Sequence, residues 1–138
     1  MKVYIASKYL AHETENKAIF NGLIEAGIDA FLPKSINIDA ISLEEMLVVS
    51  EKCFNEMDSC NIILIVEPYG KSVSCEIGYA IYIKRKLHQK IQLIRYISSH
   101  FTNADEYSET MITPYIDHTV YSVQELVKLL KCEESFEL

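Results

Sequence analysis

A carboxylate among small and apolar neighbours is the strongest chemical signal in the chain. Glu76 lies in Cys75-Glu76-Ile77-Gly78-Tyr79-Ala80, in what the spacing predicts to be the first turn of a helix from Ser74 to Arg85. A helix dipole favours a carboxylate there. Partial desolvation would also suit it to nucleophilic work, and Gly78 would let a ligand or a second backbone come close. Just upstream, Glu67-Pro68-Tyr69-Gly70-Lys71-Ser72-Val73-Ser74 joins a strand to that helix. Gly70-Lys71-Ser72 suggests a phosphate-binding P-loop, but that motif needs glycine where this chain has Ile65. What remains is one cation, Lys71, and two hydroxyls, Ser72 and Ser74, ahead of a helix N-terminus whose free N–H groups favour an anion. An ordinary turn capped by Ser72 or Ser74 explains the same residues equally well.

The other reactive side chains are dispersed. His12, His88, His100 and His118 are far apart, and Cys53, Cys60, Cys75 and Cys132 show neither C-x-x-C spacing nor a paired histidine. No metal site is expected, and the cysteines read as free thiols of a reducing compartment. Lys84-Arg85-Lys86 suits a helix C-terminus and nothing more. Nine tyrosines offer stacking surfaces such as Tyr9 or Tyr69, with core or interface packing as the ordinary use.

Positioning Glu76 requires a frame, and apolar periodicity supplies one. Lys2 to Ser7 reads as a strand and Ala11 to Ala26 as a helix, with Gly27 as its C-terminal stop. Ile28 to Leu32 is a second strand, closed by Pro33. Ser42-Leu43-Glu44-Glu45 is a capping box opening a helix whose buried face would be Leu43, Met46, Leu47, Phe54 and Met57. Asn61 to Val66 is apolar enough for a central strand covered on both faces. After the Ser74–Arg85 helix come a strand over Lys90–Tyr96, an unassigned stretch from Ile97 to Asp117 and a short strand over Thr119–Tyr121. A second capping box, Ser122-Val123-Gln124-Glu125, then opens a last helix through Leu126, Leu129 and Leu130. The acidic tail 133–138 is expected to fray.

Strand–helix alternation of this kind gives a parallel sheet with right-handed crossovers and helices on both faces. The expected fold is an α/β, flavodoxin-like three-layer sandwich of five parallel strands in the order 2-1-3-4-5. Such sheets bind small ligands beyond the carboxyl ends of the strands, where strand order switches. Ser7 to Ala11 and Glu67 to Glu76 occupy those ends.

Composition narrows the function. The chain has 138 residues, 49% of them hydrophobic, enough for one domain spanning 1–138 with a real core. Thirteen basic residues stand against twenty acidic ones, for a net charge of -7 and a pI of about 5.1. An acidic chain without a basic stripe is poorly made for a nucleic acid polymer. The apolar run Ile62–Val66 is far short of the roughly 20 residues of a membrane helix, and the N-terminus reads as a strand rather than a signal peptide. A cytoplasmic protein with no membrane partner is expected.

Lys2-Val3-Tyr4-Ile5-Ala6-Ser7, Asp58-Ser59-Cys60-Asn61 before an apolar strand, and Glu76-Ile77-Gly78-Tyr79-Ala80 together resemble the nucleoside 2-deoxyribosyltransferase family. The late stretch from Met111 to Leu126 adds to the resemblance, which runs over almost the whole chain. It implies that Glu76 is a nucleophile attacking the anomeric carbon of a 2-deoxyribosyl group, and that the hydroxyl of Tyr4 holds it in position. A carboxylate suits an oxocarbenium-like transition state. The sugar would pass to a second base or to water, with no cofactor and in a homo-oligomer acting on a small nucleoside or nucleotide. His118 falls where the family places an amide residue contributed by a neighbouring subunit. Two positions depart from the family pattern. Gly70 replaces an aspartate that helps bind the sugar hydroxyls, and Cys53 replaces one that handles the leaving base; Asp58, five residues further on, points elsewhere. These departures weigh against efficient base exchange. Related enzymes that hydrolyse nucleoside 5′-monophosphates surround the phosphate with hydroxyls and cations. Ser7, Lys8, Lys71, Ser72 and Ser74 would fit that arrangement without matching it residue for residue, and Tyr69 would be a substrate-binding residue. The alternative is a catalytically silent nucleotide-binding module of the same fold.

Overall fold

The computed structural model describes residues 1–8, 11–33, 42–87, 89–98 and 109–136, with side chains left out from 134 onward. Five parallel strands form one sheet in the order β2-β1-β3-β4-β5: β1 Lys2–Ala6, β2 Asp29–Phe31, β3 Ile62–Glu67, β4 Gln92–Ile97 and β5 His118–Val120. The helices between them are α1 Glu13–Glu25, α2 Leu43–Asp58, α3 Lys71–Lys86 and α4 Val123–Phe136. This is the α/β, flavodoxin-like arrangement that the sequence predicts.

Period-two alternation divides the core into two layers. Val3, Ile5, Ile62, Leu64, Val66, Ile94 and Tyr96 face one way and pack against Ile19 and Leu23 of α1 and Leu126 and Leu130 of α4. Tyr4, Ala6, Ile63, Ile65 and Leu93 face the other way, under Met57 of α2 and Val73, Ile77, Ala80 and Ile83 of α3. Every residue of β3 is buried, as expected of a strand with a helix layer on each face.

Local signals fix the helix ends. Gly27 adopts a left-handed φ of 77° immediately after α1, a conformation glycine enters without steric cost. The Glu45 N–H donates to Ser42 Oγ at 3.1 Å and the Glu125 N–H to Ser122 Oγ at 3.1 Å. Both capping boxes therefore open helices as expected. α1 and α4 pack closely at Gly22, since a Cβ there would lie 2.4 Å from Val123 Cγ1.

Two expectations change. The Ser74–Arg85 helix starts three residues earlier, at Lys71, with extended Gly70 as its N-cap. Ser74 Oγ donates to the Gly70 carbonyl at 3.0 Å and Ser72 lies in the first turn, so neither serine is the cap. Glu76 consequently falls in the second turn. The expected apolar face of α2 also divides in two: Met57 is buried, whereas Leu43, Met46 and Leu47 are 83%, 51% and 61% exposed. The core contacts of α2 come from its C-terminal half, where Met57 is buried and Cys53 and Phe54 pack beside it.

Candidate active site

The register of β1 places Tyr4 against Phe31 of β2 and Ile63 of β3. Tyr4 is therefore on an internal strand, fully buried, with its ring stacked on Phe31 at 5.6 Å. Its hydroxyl points up into the α2–α3 layer, where it meets Glu76 from α3 and Cys53 from α2. Helical spacing from the Gly70 cap turns Glu76 toward the sheet, beside Val73, Ile77 and Ala80 of the buried stripe.

Burial dominates the electrostatics. Desolvation pushes the Glu76 carboxyl up to about 7, with the Tyr4 hydroxyl pulling the other way. Tyr4 is itself held well above its ordinary value, first by burial and then by the Glu76 charge beside it. The Cys53 thiol is raised by burial as well. Although close, the groups do not complete a hydrogen bond: Tyr4 Oη and Glu76 Oε2 are both buried without a partner among the described residues. Such groups cost stability, typically 1–3 kcal/mol each, when nothing else satisfies them.

A pocket of about 380 Å³ opens above them, lined by Met46, Val49, Ser50, Cys53 and Phe54 of α2 and by Ser72, Cys75 and Glu76 of α3. That volume lies within the range of small-molecule sites. Sequence reasoning assigned Met46 and Phe54 to the core and did not find Val49, Ser50 or Cys75 as lining residues. The signal was present in α2, whose apolar stripe is wider than its contact with the sheet requires.

The β3–α3 turn is held from several sides. Lys8 crosses Gly70, with its Cε 2.9 Å from where a Cβ on that residue would lie. His12 has Nε2 2.9 Å from the Pro68 carbonyl, which requires a proton on that nitrogen. Tyr69 is half-buried and faces Glu109, and burial followed by that carboxylate raises its phenol. Beneath the turn, Glu67 and Arg95 form a buried ion pair with Arg95 Nε 3.6 Å from Glu67 Oε1. Arg95 Nη2 also donates to Thr113 Oγ1 at 3.2 Å. Burial outweighs Arg95 and pushes the Glu67 carboxyl up to about 7. The pair escaped the sequence reading, although an arginine in the strand Leu93-Ile94-Arg95-Tyr96 and a glutamate closing an apolar run signal it.

The remaining candidates are placed as follows. Ser7 is half-buried at the end of β1, and Lys71, Ser72 and Ser74 are exposed along the first turn of α3. His118 does not join Glu76 within its own chain. It starts β5, three strands from Tyr4, with Nε2 3.4 Å from Glu133 of α4. Gly78 is exposed, and a Cβ there would meet nothing within 4 Å, so no close approach explains it. Lys84 does more than complement a dipole, since it binds Asp117 and the Tyr115 carbonyl. Tyr9, His88, His100 and residues 99–108 of the unassigned stretch lie outside the described residues. Among the described residues, no group of three His, Cys, Asp or Glu side chains could hold a metal ion, and no helix is long and apolar enough to cross a membrane.

No family model matches the chain, and no curated protein does. Among solved structures it is similar to the 2-deoxyribosyltransferase of the psychrotolerant bacterium Bacillus psychrosaccharolyticus, characterised as a biocatalyst for synthesis of antiviral and antitumoral nucleosides. The TM-score is 0.70 at 17% sequence identity, over 92% of this chain and 90% of the other. At that identity the likeness is one of fold, and it extends over nearly the whole of both chains.

Proposed function

We propose that the protein cleaves the N-glycosidic bond of a nucleoside or nucleoside 5′-monophosphate, with Glu76 as nucleophile and Tyr4 as the group that orients it. The observation that carries this reading is the meeting of Tyr4 and Glu76 under the pocket, each with a buried polar atom unpartnered among the described residues. In the ionised form, a Glu76 oxygen attacks C1′ as the C1′–N bond breaks, and the Tyr4 hydroxyl donates to the other carboxylate oxygen. Water or a second base then takes the sugar and returns Glu76 to its carboxylate. The similarity in fold to a 2-deoxyribosyltransferase is consistent with this chemistry. The reading places the enzyme in the cytoplasm as a homo-oligomer in which His118 completes a neighbour's pocket; sedimentation as a monomer at micromolar concentration would remove that element.

Cys53 and Gly70, in place of the two aspartates of the resembling family, favour a second reading, a binding module without catalysis. Release of free base from a panel of nucleosides and monophosphates, followed by chromatography, separates the two. Release that disappears in Glu76→Gln supports the enzyme, and no release from any compound supports the module.

The phosphate is the finer point. Gly70 removes a charge that would repel an anion, while Lys71, Ser72 and the Lys8 chain crossing Gly70 border the start of α3. Charged hydrogen bonds of this kind contribute about 1.5–3 kcal/mol each. A nucleoside 5′-monophosphate is expected to bind at least about tenfold more tightly than its nucleoside, a difference of about 1.4 kcal/mol. Lys71→Ala is expected to erase most of that preference. Calorimetric titration of both ligands checks it, and equal affinities in the wild type would reject the monophosphate.

A further inference from the structure

Breaking an N-glycosidic bond leaves an electron pair on the base nitrogen. A neutral nucleobase departs as an anion unless an acid protonates it, and a positioned acid contributes about 10²–10⁴ in rate. If Glu76 is the nucleophile, as proposed above, it must be ionised to attack and has no proton to give. Among the described residues, the ionisable groups that meet it are Tyr4 and Cys53. Both are driven by burial toward holding their protons more tightly than in water, which makes them weak acids. Position 53, where the resembling family has an acid for the leaving base, presents a thiol to the pocket wall.

The same wall is well made for a cation. Met46, Val49 and Phe54 give it an apolar surface, and Phe54, whose ring packs against Tyr79 at 4.8 Å, adds an aromatic side chain of the kind that attracts cations. The helix that supplies these residues carries five carboxylates, Glu44, Glu45, Glu51, Glu56 and Asp58, outside the pocket lining; Glu56 is paired with Lys2 and with Lys52, the helix's single cation, and Asp58 accepts from Tyr79. A cationic ring placed here would also draw Glu76 toward its ionised, nucleophilic form.

We propose that the pocket selects N-glycosides whose base is already a quaternary cation, such as a pyridinium or N-alkylated purine glycoside. The atoms and charges then balance without an acid. A Glu76 oxygen forms the C1′–O bond while the C1′–N bond breaks, and its electron pair neutralises the ring nitrogen. Carboxylate and cation become a neutral ester and a neutral base. Water oxygen next bonds to C1′, the ester C1′–O pair returns to Glu76, and the water proton goes to solvent.

The test compares a pyridinium 2′-deoxyriboside with 2′-deoxyuridine, following released base chromatographically and dividing each kcat/KM by the uncatalysed hydrolysis rate of that compound. The expected ratio favours the pyridinium glycoside by about a hundredfold or more, the lower end of what a positioned acid supplies. In Cys53→Asp, which adds such an acid, the ratio is expected to narrow at least about tenfold. A corrected ratio near one in the wild type would overturn the proposal and leave Glu76 as a glycosidic nucleophile. Release of neither base would overturn the glycosidic reading, and the proposal with it.

Discussion

Glu76→Gln is expected to abolish base release while making the folded protein more stable above neutral pH. Loss of an essential nucleophile costs on the order of 10⁴-fold or more in rate. Stability moves the other way because the wild-type carboxyl is buried under Tyr4 and Cys53, with Oε2 unpartnered among the described residues. In the unfolded chain it ionises near 4.5, and in the folded chain near 7. Between those values the folded state holds a proton that the unfolded state has released. Wild-type stability therefore falls as pH rises from about 4.5 to 7 and levels off above that. Glutamine does not titrate, so the variant's advantage opens over the same window and reaches on the order of 2–3 kcal/mol by pH 8. Thermal melts of both proteins at pH 5 and pH 8 check this. A variant less stable than wild type at pH 8 would mean that the Glu76 charge is satisfied in the fold.

The second large effect belongs to Arg95. This side chain is 7% exposed and Glu67 is 3% exposed, and the arginine also holds Thr113. Arg95→Met leaves Glu67 buried without its counter-charge, a change that costs about 3–5 kcal/mol in comparable pairs. The cost depends on pH in a definite direction. Glu67 already titrates near 7 in the folded protein with Arg95 pulling its pKa down, so removing Arg95 raises it further. The extra penalty is expected to be small below about pH 7, where Glu67 is protonated in both folded proteins, and to grow by about 1.4 kcal/mol per pH unit above it, where the variant alone must hold that proton, reaching its full size only where Glu67 finally ionises. Replacing both, Glu67→Met with Arg95→Met, is expected to recover wild-type stability or exceed it, because buried ion pairs commonly break even against apolar residues of similar volume. Urea unfolding at pH 8 and pH 5.5 measures all three. A single variant that loses less than about 1 kcal/mol at pH 8, or a double variant no better than the single, would show that the pair is not what holds this end of the sheet.

Much of the frame was legible because its signals are local and agree with one another. Ile62–Val66 reads as a doubly covered strand and is one. Ser42, Ser122 and Gly27 each mark a helix end by side-chain chemistry or backbone freedom that needs no tertiary context. The boundary that failed, at α3, is one where the cap is a glycine without a side chain to announce it, and where two serines nearby compete for the role. The exposed half of α2 failed for a different reason. Apolar spacing identifies a stripe but not what covers it, and here Met46 and Val49 line a pocket instead of the sheet. Tyr4 and Glu76 were reached through short motifs, one within β1 and one within α3, which parallel topology then brings together. Contacts between residues far apart in sequence, such as His12 with Pro68 and Glu67 with Arg95, left only faint traces of residue type.

The central claim is that Glu76 forms a covalent bond with a sugar. A 2-fluoro-2-deoxy nucleoside carrying a readily departing base slows breakdown of the glycosyl ester more than its formation, so the intermediate should accumulate. Intact-mass spectrometry followed by peptide mapping reads it directly. The expected result is one added 2-fluoro-2-deoxyribosyl group per chain, on the peptide containing Glu76, absent from Glu76→Gln and released when an acceptor base is supplied. No adduct, or an adduct on any residue other than Glu76, would contradict the account.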